Sequence, residues 1–435
     1  MINEPEVLLA ALLLLAALVT GLARLFGRWY ISMPMVFVLA GIFLGPAITG
    51  SIRIQPDTES VQFLAELTLA LILFTDASTL SLRQVSDDAN LPGRLLGIAL
   101  PLIILCGAVV GWLLYPELPL GYALLVAAIL APTDAALGLP IYSNPRMPVR
   151  IRRALNIESG LNDGIASPFV ILFLSLTLAE EKILIGQWLE EALLELGLAI
   201  LIGIIVGYVA GIFLLAADRR QWSTDLWSKI SIMAVALACY FLSIGIGGNG
   251  FVAAFVGGIT FGHASNHKLA EQIEFAEASG TLLSLLVWTI FAALFISPQA
   301  FLDKPAGDIL RGILYAVLSL TVVRMLPVAI SMIGTGLRRD TVLLMGWFGP
   351  RGLASVVFGL LATGAFEEAG RSMQPLAMLV PLTVLISVFA HGFSARPLVN
   401  WYSRRLAEAE EDHIELAEVP ELPARPRLLG IAKES

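Results

Sequence analysis

Long apolar stretches separated by short polar segments run through almost the whole chain. A helix needs about 20 mostly apolar residues to cross the hydrocarbon core of a bilayer, and we count about thirteen such stretches. Of the 435 residues, 57% are hydrophobic and 14% are charged, whereas a soluble domain carries roughly 25% charged residues. The sequence therefore predicts an all-α polytopic membrane protein with about thirteen transmembrane helices. It excludes a soluble enzyme and a disordered chain.

The loops between the predicted spans indicate the orientation of the chain. The spans begin close to Glu6, Met33, Ser60, Pro92, Leu118, Ile151, Gln187, Leu226, Gly250, Ala276, Gly307, Thr341 and Pro375. Loops after odd-numbered spans hold seventeen Lys and Arg residues, and loops after even-numbered spans hold five. Because positively charged loops stay in the cytoplasm, we expect a cytoplasmic C-terminus and an N-terminus outside. The first span follows an acidic start, so we expect a retained helix rather than a signal peptide.

The fifth span contains a proline next to two oxygen-bearing side chains. Pro132 has no N–H and its ring conflicts with the carbonyl of Ala128, so we expect the helix to break there. The freed carbonyls, the Thr133 hydroxyl and the Asp134 carboxylate are the oxygen ligands that a dehydrated monovalent cation needs. The ends of the two half-helices would also direct their dipoles at a bound ion. The alternative is a kinked helix that Asp134 caps at an aqueous boundary.

A cluster of polar side chains, Glu158, Ser159, Asn162 and Asp163, lies within the sixth span. An ionisable group at mid-bilayer costs about 2.5–3.5 kcal/mol on insertion scales, so such groups mark functional sites by default. Ser159 and Asp163 are four residues apart and share one face of the helix, while Glu158 and Asn162 share the next face. We expect both faces to point into the protein. The alternative is a structural ion pair with no role in transport.

The twelfth span repeats the broken-helix pattern. It carries Gly349-Pro350-Arg351-Gly352, seven spans after the break at Pro132. That spacing predicts two inverted six-helix repeats that flank one extra span. Broken helices at matched positions of two repeats point to the binding site of a transporter. A buried arginine stays charged, so we expect Arg351 to require a carboxylate partner.

Four further groups have weaker assignments. Asp76 lies near one end of the third span, where it either lines a cavity or sits at the membrane interface. Arg324 lies near the middle of its span and needs a partner, for which Glu277 is a candidate, and we favour a structural role for it. We expect His391 to pack against or cap a helix rather than to relay protons.

Together, these motifs resemble the sodium/proton exchanger branch of the monovalent cation:proton antiporter superfamily, in its archaeal and bacterial form with an Asn-Asp pair. The resemblance covers roughly residues 6–402. The motifs that carry it are Pro132-Thr133-Asp134, Glu158-Ser159-Gly-Leu-Asn162-Asp163, Gly349-Pro350-Arg351-Gly352 and His391-Gly-Phe-Ser394-Ala-Arg-Pro397.

The resemblance implies a homodimer in which the broken spans five and twelve cross within each protomer. It divides the transmembrane part of each protomer into an interface domain, a transport domain and a linker helix. The sequence itself adds a short acidic tail, which the loop charges predict to be cytoplasmic. In this sequence the transmembrane part is 1–402, the interface domain roughly 1–85 and 226–297, the transport domain roughly 92–177 and 307–402, the linker roughly 187–217, and the tail 403–435.

The resemblance also implies roles for the site residues. Asp163 is the carboxylate that holds either a cation or protons. Thr133, Asp134 and Ser159 supply further oxygen ligands for Na⁺, and Asn162 braces the site. Glu158 pairs with Arg351. A neutral Asn162 in front of Asp163 implies electroneutral exchange, and Asp76 stands where many relatives have a glutamate, which leaves its role open.

The sequence therefore predicts an antiporter of a prokaryotic cell membrane that exchanges Na⁺, Li⁺ or K⁺ for H⁺ by alternating access. We expect no resident cofactor and no nucleic-acid partner, with the bilayer and a second copy of the chain as partners. An intramembrane enzyme is disfavoured because neither a Gly-x-Ser-x-Gly elbow nor a His-Glu-x-x-His pair occurs. The alternative that remains is a sodium-coupled symporter of a small organic anion.

Overall fold

The described part of the chain is helical throughout. The computed structural model describes residues 5–28, 31–46, 48–50, 59–79, 90–142, 144–178, 185–296, 304–371, 376–407 and 414–416, and these residues contain no β-strand. The helices are α1 Pro5–Gly21, α2 Ala23–Arg28, α3 Met33–Leu44, α4 Glu59–Thr79, α5 Asn90–Leu114, α6 Leu120–Ile129, α7 Ala135–Tyr142, α8 Val149–Leu178, α9 Ile185–Arg219, α10 Asp225–Gly245, α11 Gly250–Ala264, α12 Ala270–Phe295, α13 Ala306–Leu320, α14 Val322–Ser331, α15 Arg339–Trp347, α16 Leu353–Glu368 and α17 Leu376–Ala407.

The positions of the helices confirm the prediction of an all-α polytopic membrane protein. A helix begins within a few residues of every predicted span start, and the largest difference is at the tenth, which begins at Ala270 rather than Ala276. In the described residues, eight spans are long and apolar enough to cross a bilayer, and shorter apolar helices accompany them. The number of crossings therefore stays a prediction, because half-helices and short helices do not qualify by length alone.

Three of the predicted spans are interrupted. The fifth divides into α6 and α7 around Pro132, and the twelfth divides into α15 and α16 around Pro350, as the prolines predict. The eleventh divides into α13 and α14 at Thr321, where no break was expected. The Thr321 hydroxyl donates to the carbonyl of Val317 at 2.6 Å. The hydroxyls of Thr68 and Thr383 make the same kind of bond within continuous helices, so this bond does not by itself account for the break.

Small residues let the helices pack closely on both sides of α4. Helices α9, α10, α11 and α12 pack with one another, and α11 and α12 also contact α4. A Cβ atom at Gly258 or Gly262 of α11 would overlap the backbone of α4, so only glycine permits this approach. The helices α5, α6, α8, α13, α14 and α17 form a second set of contacts, and α8 and α16 reach α4. The division into interface and transport domains stays a prediction.

A short segment near the C-terminus folds back onto the helices. A 3₁₀ turn at Ile414–Leu416 places Glu415 at the start of α15, where its side chain is buried. The Glu415 carboxylate accepts from the backbone N–H of Arg338 at 2.7 Å and from the Thr341 hydroxyl at 2.8 Å. A carboxylate at a helix N-terminus is stabilised by the helix dipole. This part of the predicted tail is therefore anchored to the transmembrane helices.

Candidate functional site

The two proline-broken spans meet at their unwound segments. Residues 130–134 join α6 to α7, and residues 348–352 join α15 to α16. The backbone N–H of Asp134 donates to the carbonyl of Pro350 at 2.7 Å. One backbone bond thus connects the two breaks directly, and four helix ends lie around this point.

The carboxylate of Asp134 connects two of these helix ends. Its Oδ1 accepts from the N–H of Leu137 in α7 at 2.9 Å, and its Oδ2 accepts from the N–H of Leu353 in α16 at 3.1 Å. Helix N-termini carry unsatisfied N–H groups and partial positive charge, so an anion stabilises both. Asp134 therefore caps two half-helices from different spans. The capping expected as an alternative is present, within the protein and at both breaks.

Two glycines of the Gly349-Pro350-Arg351-Gly352 motif make room for charged side chains. A Cβ atom at Gly352 would overlap the Asp134 carboxylate, and one at Gly349 would overlap the guanidinium of Arg324. Both positions therefore require glycine because of a close approach rather than a special backbone angle. The two glycines thus let the unwound segment lie directly against the side chains of Asp134 and Arg324.

Arg351 is fully buried and binds carbonyls rather than a carboxylate. Its Nη1 donates to the carbonyl of Ala131 at 2.7 Å and to that of Pro132 at 3.4 Å, and its Nη2 donates to the carbonyl of Ser319 at 3.5 Å. Ala131 and Pro132 follow α6, and Ser319 lies in the last turn of α13. The positive charge of Arg351 thus lies at the C-terminal ends of helices, where a cation is favoured.

Glu158 pairs with Arg324, so the expected pair of Glu158 with Arg351 is wrong. Arg324 Nη1 lies 2.5 Å from Oε1 and Nη2 lies 2.9 Å from Oε2 of Glu158, which is a two-pronged ion pair. The two side chains are 1% and 3% exposed. Arg324 therefore does not take Glu277 as its partner either. Arg351 needs no carboxylate because the broken helix supplies free carbonyls that accept its hydrogen bonds.

Three of the predicted site residues, the ligands Thr133 and Ser159 and the supporting Asn162, lie in direct contact. The Nδ2 of Asn162 donates to the Thr133 hydroxyl at 2.5 Å, and the Ser159 hydroxyl donates to the Thr133 carbonyl at 2.9 Å. The Thr133 and Ser159 hydroxyl oxygens are 3.4 Å apart. All three side chains are buried, and Asn162 Oδ1 has no hydrogen-bond partner among the described residues. Oxygen atoms of α8 and of the first break are thus gathered in one place.

The remaining predicted residues lie on four different helices, α4, α8, α12 and α17. Asp163 is half-buried and lies one helical turn beyond Ser159, on the same face of α8. Asp76 is half-buried three residues before the end of α4, and Glu277 is half-buried on α12. His391 is buried on α17 beside the second break. Its packing there agrees with the expected role.

One contact at the crossing was not predicted from the sequence. The hydroxyl of Ser387 on α17 accepts from the backbone N–H of Arg351 at 2.7 Å. A single serine in an apolar helix carries little signal by itself. Its position four residues before His391, on the same helical face, is the one feature that could have indicated it.

Comparison with known proteins agrees with this architecture. A family model described as "Sodium/hydrogen exchanger, transmembrane" matches residues 13–401. The chain is 27% identical to a Na(+)/H(+) antiporter of Schizosaccharomyces pombe, over 67% of this chain and 69% of that protein. It is 25% identical to the K(+)/H(+) antiporter NhaP of Alkalimonas amylolytica, over 92% of this chain and 67% of that protein.

The fold is also similar to a solved structure. The sodium proton antiporter MjNhaP1 from Methanocaldococcus jannaschii, at pH 8, matches with a TM-score of 0.75 and 19% sequence identity. The match covers 90% of this chain and 100% of that chain. At this identity the similarity concerns the fold.

The buried pair predicts that Glu158→Gln destabilises the protein. The substitution leaves the Arg324 charge buried without its carboxylate, which costs about 3–5 kcal/mol. We expect a clear loss in the midpoint of thermal unfolding in detergent. The double variant Glu158→Gln/Arg324→Met removes both charges and should recover part of that loss. Equal stability of Glu158→Gln and the unaltered protein would contradict the pairing.

Proposed function

Because the chain belongs to the sodium/hydrogen exchanger family, we propose that it exchanges a monovalent cation for a proton by alternating access. The observation that carries this proposal is the crossing of two broken spans, beside which Thr133, Ser159 and Asn162 gather their oxygen atoms. Hard cations bind oxygen ligands, and broken helices form ion sites in the middle of transporters. The named relatives include sodium and potassium antiporters, so the cation is Na⁺, Li⁺ or K⁺.

We assign the binding of the cation to four side chains. Asp163 supplies the charged ligand, and the Thr133 and Ser159 hydroxyls supply neutral oxygens beside it. Each oxygen of the Asp134 carboxylate accepts one helix N–H and keeps a further lone pair for a cation. The bond from Asn162 to Thr133 orients the Thr133 hydroxyl. Asn162 is therefore a supporting residue in this assignment.

Competition for Asp163 would couple the two ions. Two further charged groups near the crossing are bound within the protein: Glu158 to Arg324, and Arg351 to the carbonyls that follow α6. The site would change its exposure from one side of the membrane to the other in two forms, one with the cation bound and one with the proton bound. In both forms the negative charge of Asp163 is neutralised. At low pH, protons displace the cation. At high pH, reprotonation becomes rare and limits turnover.

Alternating access requires two bodies that move relative to each other. We assign the crossing and its neighbours to a transport domain at roughly 92–177 and 307–402, and the dimer contacts to an interface domain at roughly 1–85 and 226–297, joined by the helix at roughly 187–217. The two sets of helix contacts around α4 support this division. With this assignment the protein is a homodimer with its C-terminus in the cytoplasm and its N-terminus outside.

A sodium-coupled symporter of an organic anion is less well supported. Such a protein needs donors for the carboxylate of its substrate. The two buried guanidiniums beside the crossing, those of Arg324 and Arg351, are bound to Glu158 and to backbone carbonyls. Neither is available to a substrate in this arrangement.

The competition mechanism predicts that Asp163→Asn abolishes exchange while the protein still folds. The neutral amide keeps the shape of the side chain and cannot alternate between a cation and a proton. Exchange is measured in proteoliposomes with Na⁺, Li⁺ and K⁺ gradients in turn. The unaltered protein should show a bell-shaped pH profile whose acid limb moves to lower pH as the cation concentration rises. Exchange at a near-normal rate by Asp163→Asn, or an acid limb that ignores the cation, would overturn the mechanism.

The neutral Asn162 predicts that exchange is insensitive to membrane voltage. A single negative charge on Asp163 is cancelled by either one cation or one proton, so the loaded site carries the same charge in both directions. The exchange rate should be the same in liposomes clamped at different membrane potentials. The potential is set with potassium and valinomycin or, when K⁺ is the substrate, with a permeant ion other than K⁺ and H⁺. A rate that changes steadily with the potential would show that net charge is moved.

A further inference from the structure

Helix α17 contacts both ends of the second break through side chains on one face. Ser387 and His391 are four residues apart, and both are buried. The Ser387 hydroxyl accepts from the N–H of Arg351, which precedes α16. The His391 Nε2 lies 2.9 Å from the carbonyl of Trp347, the last residue of α15. One turn of α17 thus spans the unwound segment 348–352.

The hydrogen bonds among these groups form a continuous chain. Each ring nitrogen of His391 lies 2.9 Å from a carbonyl, Nε2 from that of Trp347 and Nδ1 from that of Ser387. The Ser387 hydroxyl lies 3.1 Å from Nδ1. A hydroxyl can donate to a bare ring nitrogen or accept from a protonated one, so this contact is satisfied with either tautomer. The chain therefore runs from the Arg351 N–H to the Ser387 hydroxyl, then to Nδ1, and from Nε2 to Trp347.

A second contact fixes Trp347 itself. Its ring packs on the ring of His391 with centroids 5.1 Å apart, and its Nε1 donates to the Ser394 hydroxyl at 2.9 Å. Ser394 lies three residues after His391, on the same side of α17. The end of α15 is therefore held through both its backbone carbonyl and its indole ring.

The segment held in this way reaches the proposed cation ligands within two steps. Its Pro350 carbonyl accepts from the N–H of Asp134, and the N–H of Leu353 that follows it donates to the Asp134 carboxylate. Asp134 is the chain neighbour of Thr133, whose hydroxyl meets Ser159 and Asn162. A shift of residues 348–352 would consequently move Asp134 and the Thr133 oxygens.

We propose that Ser387 and His391 are positioning residues that brace the second broken span and thereby set the affinity of the site for its cation. This proposal rests on the proposed exchange function. In this proposal, neither Ser387 nor His391 contacts the cation. They act by holding the gap between α15 and α16 at a fixed length, so that Asp134 and Thr133 stand at the crossing without further adjustment when the ion binds.

The test measures the cation dependence of exchange for variants that break the chain at different points. Ser387→Ala removes the link to Arg351. His391→Asn places an amide only near the position of Nδ1 beside Ser387, and His391→Gln places one only near the position of Nε2 beside Trp347. Each loses at least one buried hydrogen bond, so we expect the KM for the cation to rise about five- to tenfold, with kcat within about twofold. Because the residues act as one chain, Ser387→Ala/His391→Gln should be little worse than either single change.

A matched control lies one turn earlier on the same helix. Thr383 is fully buried, and its hydroxyl donates to the Leu379 carbonyl within α17. Thr383→Val removes a buried hydroxyl without touching the break, so its KM should stay within twofold of the unaltered protein. A structural defect alone would lower the amount of active protein and hence the maximal rate, and it would leave KM unchanged.

The outcomes separate the brace from the exchange function. If the unaltered protein exchanges none of Na⁺, Li⁺ or K⁺ for protons, the proposed function is wrong. If it does, and Ser387→Ala and His391→Gln keep a KM like that of Thr383→Val, the brace is wrong. Should Ser387→Ala not fold, His391→Asn and His391→Gln decide: a raised KM supports the brace, and a KM like that of Thr383→Val overturns it.

Discussion

Breaking a helix inside a membrane exposes backbone groups that must find partners within the protein, and this requirement governs the centre of the molecule. Two spans break at Pro132 and Pro350, and two opposite charges satisfy the ends. The Asp134 carboxylate accepts from the N-termini of α7 and α16. The Arg351 guanidinium donates to carbonyls that follow α6. The charges of Asp134 and Arg351 therefore hold the crossing together. Gly352 of the second break lets the backbone approach the Asp134 carboxylate.

The same contacts bear on the proposed competition of two ions for one site. Arg351 is bound to backbone carbonyls, and Glu158 and Arg324 are bound to each other. In the proposal, Asp163 is the exchanged charge; it lies one helical turn beyond Ser159 on α8. The bound charges would keep the crossing in place while Asp163 carries the coupling.

Much of the fold, and less of the site, could be predicted from the sequence. Apolar length located the helices, and Pro132 and Gly349-Pro350 located two breaks, because these signals are local. The partner of Glu158 could not be predicted, since helical periodicity assigns a face and does not say which helix lies opposite. The carbonyls that accept from Arg351 are free to do so only because the fifth span breaks after α6. The break at Thr321 has no proline or glycine beside it in the sequence, and the contact of Ser387 involves a single hydroxyl group in an apolar helix.

The most direct test of this account is proton release when the cation binds to purified protein in a weakly buffered detergent solution, followed with a pH indicator. If a cation and a proton compete for Asp163, adding the transported cation at a mildly acidic pH should release a single proton per bound ion. The amount should fall as the starting pH rises, because fewer sites then carry a proton. Asp163→Asn should release none. Cation binding without proton release at every pH, or undiminished release from Asp163→Asn, would contradict the account.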